Sequence, residues 1–243
     1  MTGKSSADAV ATWPQDLAAA TRASPVAAVA RPHDQEPLDL DAIDPVLIDR
    51  CRASLLPLRS QLGRRGVLAV ASPDRRNGNS PIAAGVAVSL ARSTSDPVLL
   101  LDLDFECPGQ AALFARRPAP GLADYLRGGR LRAIPDAGGR LWLIPAGMPS
   151  SKREAEFLRT LLPRDFLGVC GQRFTWVVAD LPPLRQTSAS SPALGADGYI
   201  LVGRHRKTTF RMVEDALATL PPNRPMGLVL TADSRPRRLA RLF

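Results

Sequence analysis

No lysine stands between Lys4 and Lys152 in this 243-residue chain. Chemistry that needs a loop lysine to grip a phosphate is therefore unsupported anywhere in that interval. Cysteine is equally sparse. Cys51, Cys107 and Cys170 have neither metal-site spacing nor the even number of a disulfide framework, which predicts a reducing, cytoplasmic setting. His33 and His205 have no cysteine or second histidine nearby in sequence, so no histidine ligand set is readable. The sequence has no secretory apolar region and no apolar run long enough to cross a bilayer, and a separate, soluble chain is the expectation.

What the chain does have is apolar mass and positive charge. With 45% apolar residues it can bury one substantial α/β core and still leave a tail. Its formal net charge is +9 and its pI is near 10.6, a balance that invites a nucleic-acid reading. Arg64, Arg65, Arg75 and Arg76 cluster in one stretch, and Arg204, Arg206 and Lys207 in another. Yet arginine is spread throughout, and no basic stripe interleaved with aromatics appears. The charge is read as a solvated basic surface, with nucleic acid not an expected partner.

The segment from Val67 to Leu90 has the outline of a strand, a phosphate loop and a helix. A phosphate loop works because glycines let backbone N–H groups close round the phosphates, a lysine reaches the β and γ oxygens, and a hydroxyl completes the magnesium shell. Arg76, Asn77, Gly78, Asn79, Ser80 and Pro81 occupy that loop, and only Gly78 and Ser80 fit the scheme. Asn79 stands where the lysine should be. Arg76 replaces an expected glycine, where its side chain would crowd the turn. Pro81 fixes φ and removes one N–H, though it suits a first helical turn. A charged hydrogen bond contributes about 1.5–3 kcal/mol, so losing the lysine should weaken nucleotide binding about 10- to 100-fold. Loss of a transition-state clamp would cost on the order of a further 100-fold in rate. A plain strand–turn–helix would read the same way.

Further apolar runs extend the pattern. Val98 to Pro108 reads as a buried parallel strand ending in Asp102 and Asp104, and Phe174 to Pro183 as another ending in Asp180. Gly198–Gly203 and Met226–Leu230 supply two more, separated by the helical pattern of Thr208 to Leu220. Strands alternating with helices predict a doubly wound, mainly parallel α/β sheet with helices on both faces. Ligands of such sheets bind at the carboxyl ends of the strands, where these acids fall.

Taken together, these motifs resemble the cytoplasmic domain of the bacterial tyrosine kinases of exopolysaccharide synthesis, relatives of the ParA and Min ATPases. The likeness runs from about Leu40 to Arg235. Asp102 and Asp104 match the acids of that family's second motif, apolar-Asp-x-Asp-x-Arg, and Asp180 and Pro183 match its third, apolar-Asp-x-x-Pro. Gly121–Leu126, Leu143–Gly147, Ala196–Gly198 and Lys207–Thr209 also sit where the family carries similar stretches. The resemblance implies a magnesium contact for Ser80, Asp102 and Asp180 if the metal binds, and a former catalytic base in Asp104.

The departures from the family all point toward lost chemistry. Besides Asn79, Glu106 takes the arginine position of the second motif. Ala53, Leu56 and Arg59 align with the Glu-x-x-Arg-x-x-Arg segment that supports ring assembly, so only the last arginine remains. The family's carboxyl-terminal tyrosine cluster is missing, since the tyrosines here are Tyr125 and Tyr199. The expectation is a catalytically degenerate relative serving a regulatory or scaffold role in exopolysaccharide synthesis. No cofactor is expected, with Mg·ATP binding weak or absent. The implied partner is a membrane chain-length copolymerase or another protein of exopolysaccharide synthesis. The competing reading is a working ParA- or Min-type ATPase with an atypical loop, positioned on DNA or membrane. Whether Arg75 and Arg76 partly replace the lost charge stays open.

Three divisions follow from composition. Residues 1–40 read as a flexible arm rich in alanine and proline, with a short helix around Gln15 to Arg22 and with Trp13 as a candidate docking anchor. Residues 41–234 hold the α/β domain, in which Ser188, Ser190 and Ser191 form a polar loop that nothing presents as a nucleophile. Residues 235–243 form a basic amphipathic tail in which Leu239, Leu242 and Phe243 can share one side. Two readings of that tail stand side by side: a frayed, solvated end, or a peripheral contact with the inner membrane through Arg237–Phe243.

Overall fold

In the computed structural model the described residues are 36–129, 131, 133–162, 166–184, 195–222, 224 and 226–231. The arm with Trp13 and His33, the serines at 188, 190 and 191, and the tail lie outside them. Seven strands form one sheet: β1 (Gly66–Ala71), β2 (Val98–Asp102), β3 (Ile134–Pro135), β4 (Leu141–Ile144), β5 (Trp176–Asp180), β6 (Gly198–Arg204) and β7 (Met226–Thr231), in the spatial order β3-β4-β2-β5-β1-β6-β7. All neighbours are parallel except β3 with β4. The helices are α1 (Pro45–Leu62), α2 (Asn79–Ser93), α3 (Gln110–Leu113), α4 (Leu122–Leu126), α5 (Lys152–Thr160), α6 (Phe166–Arg173) and α7 (Phe210–Leu217).

The central strands read as continuous apolar runs because both faces are covered. Along β1, Val67, Ala69 and Ala71 enter a core shared with α4, α5, α6 and α7. Leu68 and Val70 enter the opposite core, with α1 and α2. The doubly wound arrangement expected from the sequence is therefore the one observed. Close approach of α1 and α2 requires Gly85, since a Cβ there would stand 2.9 Å from Cys51 Sγ and 3.2 Å from Leu47 Cγ. Asp44 caps α1 by accepting the Val46 N–H, Pro45 occupies the first turn, and Gly63 ends the helix at φ 82°.

The runs read as strands are longer than the strands themselves. β2 stops at Asp102 because that carboxylate accepts the backbone N–H groups of Asp104, Gly109 and Gln110 and turns the chain back on itself. β5 stops where Pro182 and Pro183 follow. No apolar alternation in the sequence marks β3 and β4 as strands. Their hairpin is built round Asp136, whose oxygens accept the N–H groups of Gly138, Arg140 and Leu141. Leu38, buried, donates its N–H to Pro135 and closes that edge. Among the described residues, no helix is long and apolar enough to cross a membrane.

Strand order places the chemistry. β1 lies between β5 and β6, and the chain crosses β5 to reach β2, so the carboxyl ends of β1, β2 and β5 converge beneath the start of α2.

Candidate functional site

The loop between β1 and α2 borders a cavity of about 330 Å³, with Ser72, Arg75, Asn77, Ser80, Asp104 and Asp180 among its walls. Arg76 and Gly78 both take left-handed backbone, at φ 62° and 91°. Arg76 avoids the crowding expected of it because its side chain lies in solvent. The loop is held from outside: Thr231 Oγ1 donates to the Asn77 carbonyl at 2.8 Å, and Arg204 reaches the Arg76 carbonyl at 3.5 Å. Pro81 sits in the first turn of α2, as its missing N–H permits.

Asn79 opens α2. Its amide nitrogen donates to the carbonyl of Leu181, 3.2 Å away beyond the end of β5. Its amide oxygen is buried without a partner. The position that would carry a lysine is thus a neutral group tied to the neighbouring loop.

The acids divide by environment. Asp102 and Asp180 are paired across β2 and β5 and almost fully buried. Asp102 caps the turn into α3 and stands behind the cavity rather than on its wall. Burial, reinforced by Asp180, pushes its carboxyl well above the usual range. Asp180 faces the cavity. Burial raises it to about 7, against the opposing hydrogen bonds from Ser80 and Gln110. One of its oxygens is unpartnered. Asp104, also on the wall, accepts from the N–H groups of Glu106 and Cys107 and is raised chiefly by burial.

Two residues that the sequence did not single out complete the site. Gln110 Nε2 donates to the Ser80 carbonyl at 3.0 Å and to Asp180 Oδ2 at 2.8 Å, so a neutral amide bridges the hydroxyl-bearing residue and the third-motif acid. Arg159 of α5 lies 3.3 Å from Glu106, whose other oxygen pairs with Arg75. Arg75 also approaches Asp104 at 3.8 Å and Cys107 Sγ at 2.9 Å. Glu106, the residue in place of an arginine, therefore has cations on both sides. Arg75 and Arg159 lie 31 and 53 residues from Glu106 in sequence, so no short-range pattern marks either pairing.

Arg75 is thus occupied by acids, and Arg76 is exposed at the cavity's edge. Fitness for Mg·ATP can be tested on these contacts. The amide of Gln110 bridges the Ser80 carbonyl and Asp180, Asp102 accepts from backbone donors, and among the described residues no lysine lines the cavity. As arranged, this set offers Ser80, Asp104 and Asp180 as oxygen ligands without a lysine on the cavity wall among the described residues, and no phosphoryl-transfer step follows from it.

No protein-family model matches the sequence, and no characterised protein matches it in sequence. Solved structures do match. The kinase domain of Escherichia coli tyrosine kinase Etk superposes with a TM-score of 0.67 at 19% identity, covering 86% of this chain and 85% of that one. The fold is that of the bacterial tyrosine-kinase domains. The VpsO kinase domain gives a TM-score of 0.65 at 22% identity, over 77% of this chain and 96% of that chain. The Pyrococcus furiosus cell division ATPase MinD shares the kinase-domain fold more loosely, with a TM-score of 0.54 at 16% identity over 71% and 74% of the two chains. Against this kinase-domain fold, both tyrosines of the chain are internal: Tyr125 is 1% and Tyr199 0% exposed.

Proposed function

We propose that the chain is a catalytically degenerate relative of the bacterial tyrosine kinases, acting as a regulatory or scaffold component of exopolysaccharide synthesis and export through a membrane chain-length copolymerase. The observation that carries this reading is the engagement of Asn79 with Leu181, which leaves a neutral, committed amide where phosphoryl transfer needs a cation. Gln110 between Ser80 and Asp180, and the burial of Tyr125 and Tyr199, support it further. The exopolysaccharide assignment and a cytoplasmic location rest on the resemblance of the two acidic motifs to that family. Isothermal titration with Mg·ATP, alongside radiolabel transfer from ATP, tests it. Negligible binding and no labelling are expected. Labelling of either tyrosine, abolished by Asp104→Ala, would overturn the reading. Hydrolysis without labelling would favour a Min-type ATPase, for which Gly78 in its left-handed turn is the supporting feature.

The tail residues Arg237–Phe243, outside the described residues, are proposed as a peripheral membrane contact beside the copolymerase. Three arginines and three apolar side chains on a short segment suit an anionic interface.

A further inference from the structure

The turn between β6 and α7 carries Arg204, His205, Arg206 and Lys207, and Arg211 follows in the first turn of α7. No acid occurs between Asp197 and Glu214. His205, Arg206, Lys207 and Arg211 are exposed. Within this run Phe210, the first residue of α7, is 77% exposed. A phenylalanine left in water among cations has no role in the core.

Its apolar neighbours lie on β7. Leu201 and Gly203 of β6 pair with Leu228 and Leu230. Leu201 belongs to the same core as Ala216 of α7, so Leu228, Leu230 and α7 share one face of the sheet. A Cβ on Gly203 would stand 3.0 Å from Leu230 Cδ2 and 3.5 Å from Thr208 Cβ, which brings Leu230 beside the start of α7. Leu228 and Leu230 are 57% and 63% exposed. β7 itself, Met226 to Thr231, contains no charge and no proline to protect a sheet edge.

We infer that this corner, built from Arg206, Lys207, Phe210, Arg211 and Leu230, is a docking surface for an anionic lipid bilayer. Cations flanking exposed apolar side chains match the two layers of such an interface, headgroup phosphates above and acyl chains beneath. A nucleic-acid duplex would satisfy the arginines and leave Phe210, Leu228 and Leu230 uncovered. The surface also touches the cavity loop, because Arg204 bonds the Arg76 carbonyl and His205 N–H donates to Thr231, whose hydroxyl holds Asn77. The inference is independent of nucleotide chemistry and of the tail.

The test is co-sedimentation of the full chain, and of a chain lacking residues 232–243, with vesicles of equimolar phosphatidylglycerol and phosphatidylcholine or of phosphatidylcholine alone. Both chains should sediment with the anionic vesicles and fall away as salt is raised from about 0.05 to about 0.3 M. Phe210→Ser should lower partitioning about 10-fold, and Arg206→Ser with Lys207→Ser about 10-fold or more, with thermal melts unchanged because these side chains are exposed. Phe210→Trp should shift its emission to the blue on anionic vesicles. Loss of all binding in the shortened chain, equal binding by the substituted chains, or capture by duplex DNA with no vesicle binding would each overturn the inference.

Discussion

Glu106 is held between Arg75 of the phosphate loop and Arg159 of α5, so the side chain that departs from the acidic motif is also the one that fastens the loop to the far helix. The side chains of Glu106 and Arg159 are 8% and 9% exposed, and that of Arg75 is 26% exposed.

Removing the central acid leaves two poorly solvated guanidinium groups facing each other. Glu106→Gln should destabilise the protein by about 2 kcal/mol, and Glu106→Arg by more, since a third cation joins the pair. Urea melts of the two variants check the order. Equal stability of wild type and Glu106→Arg would show that the network contributes nothing.

Asn79→Lys alone should not restore nucleotide chemistry. The new ammonium would meet Gln110 still bridging Ser80 and Asp180, and Arg75 still drawn toward Glu106. Titration calorimetry should find no tight Mg·ATP binding by this variant. Tight binding would mean that the loop can remodel at little cost.

Acid pH should favour the folded state through the buried carboxylates. Burial pushes the Asp180 carboxyl from its ordinary 3.8 up to about 7, and Asp102 is shifted in the same direction. Their stabilising share is complete below the unfolded value and is lost as pH rises through the folded one, so stability should decline between about pH 4 and pH 7. Asp180→Asn should flatten that decline and raise stability at pH 8 by about 2 kcal/mol, its amide oxygen keeping the Gln110 bond. Denaturant midpoints across the pH range, with and without the substitution, measure both effects. A wild-type curve that rises over this window would contradict the burial argument.

Deleting Arg237–Phe243 should leave the α/β core folded, because no described contact of that core depends on those residues. Reduced co-sedimentation with anionic vesicles or with a membrane copolymerase is expected. Equal sedimentation of full-length and shortened protein at low salt would rule out the tail as an anchor.

The sheet was legible because a doubly covered strand leaves an unmistakable apolar run, as in Val98–Leu101 or Trp176–Ala179. The hairpin round Asp136 was not, since β3 is two residues long and is held by one side chain's bonds rather than by a pattern. In the site, the substitution at Asn79 was visible against the loop's chemistry, but the partner of its amide was not. Gln110 and Arg159 meet Ser80, Asp180 and Glu106 only through tertiary packing. Nothing in their local sequence distinguishes them from surface residues, and a glutamine beginning a four-residue helix carries no periodic signal.

Cys107 gives the molecule a built-in reporter. Cys51 and Cys170 are buried, and burial raises both thiols, the first to about 11. Cys107 is exposed on the rim of the cavity, beside Arg75. A maleimide dye should therefore attach at one place without any engineered cysteine, and its emission would register whatever enters the cavity or pulls the loop away from α5.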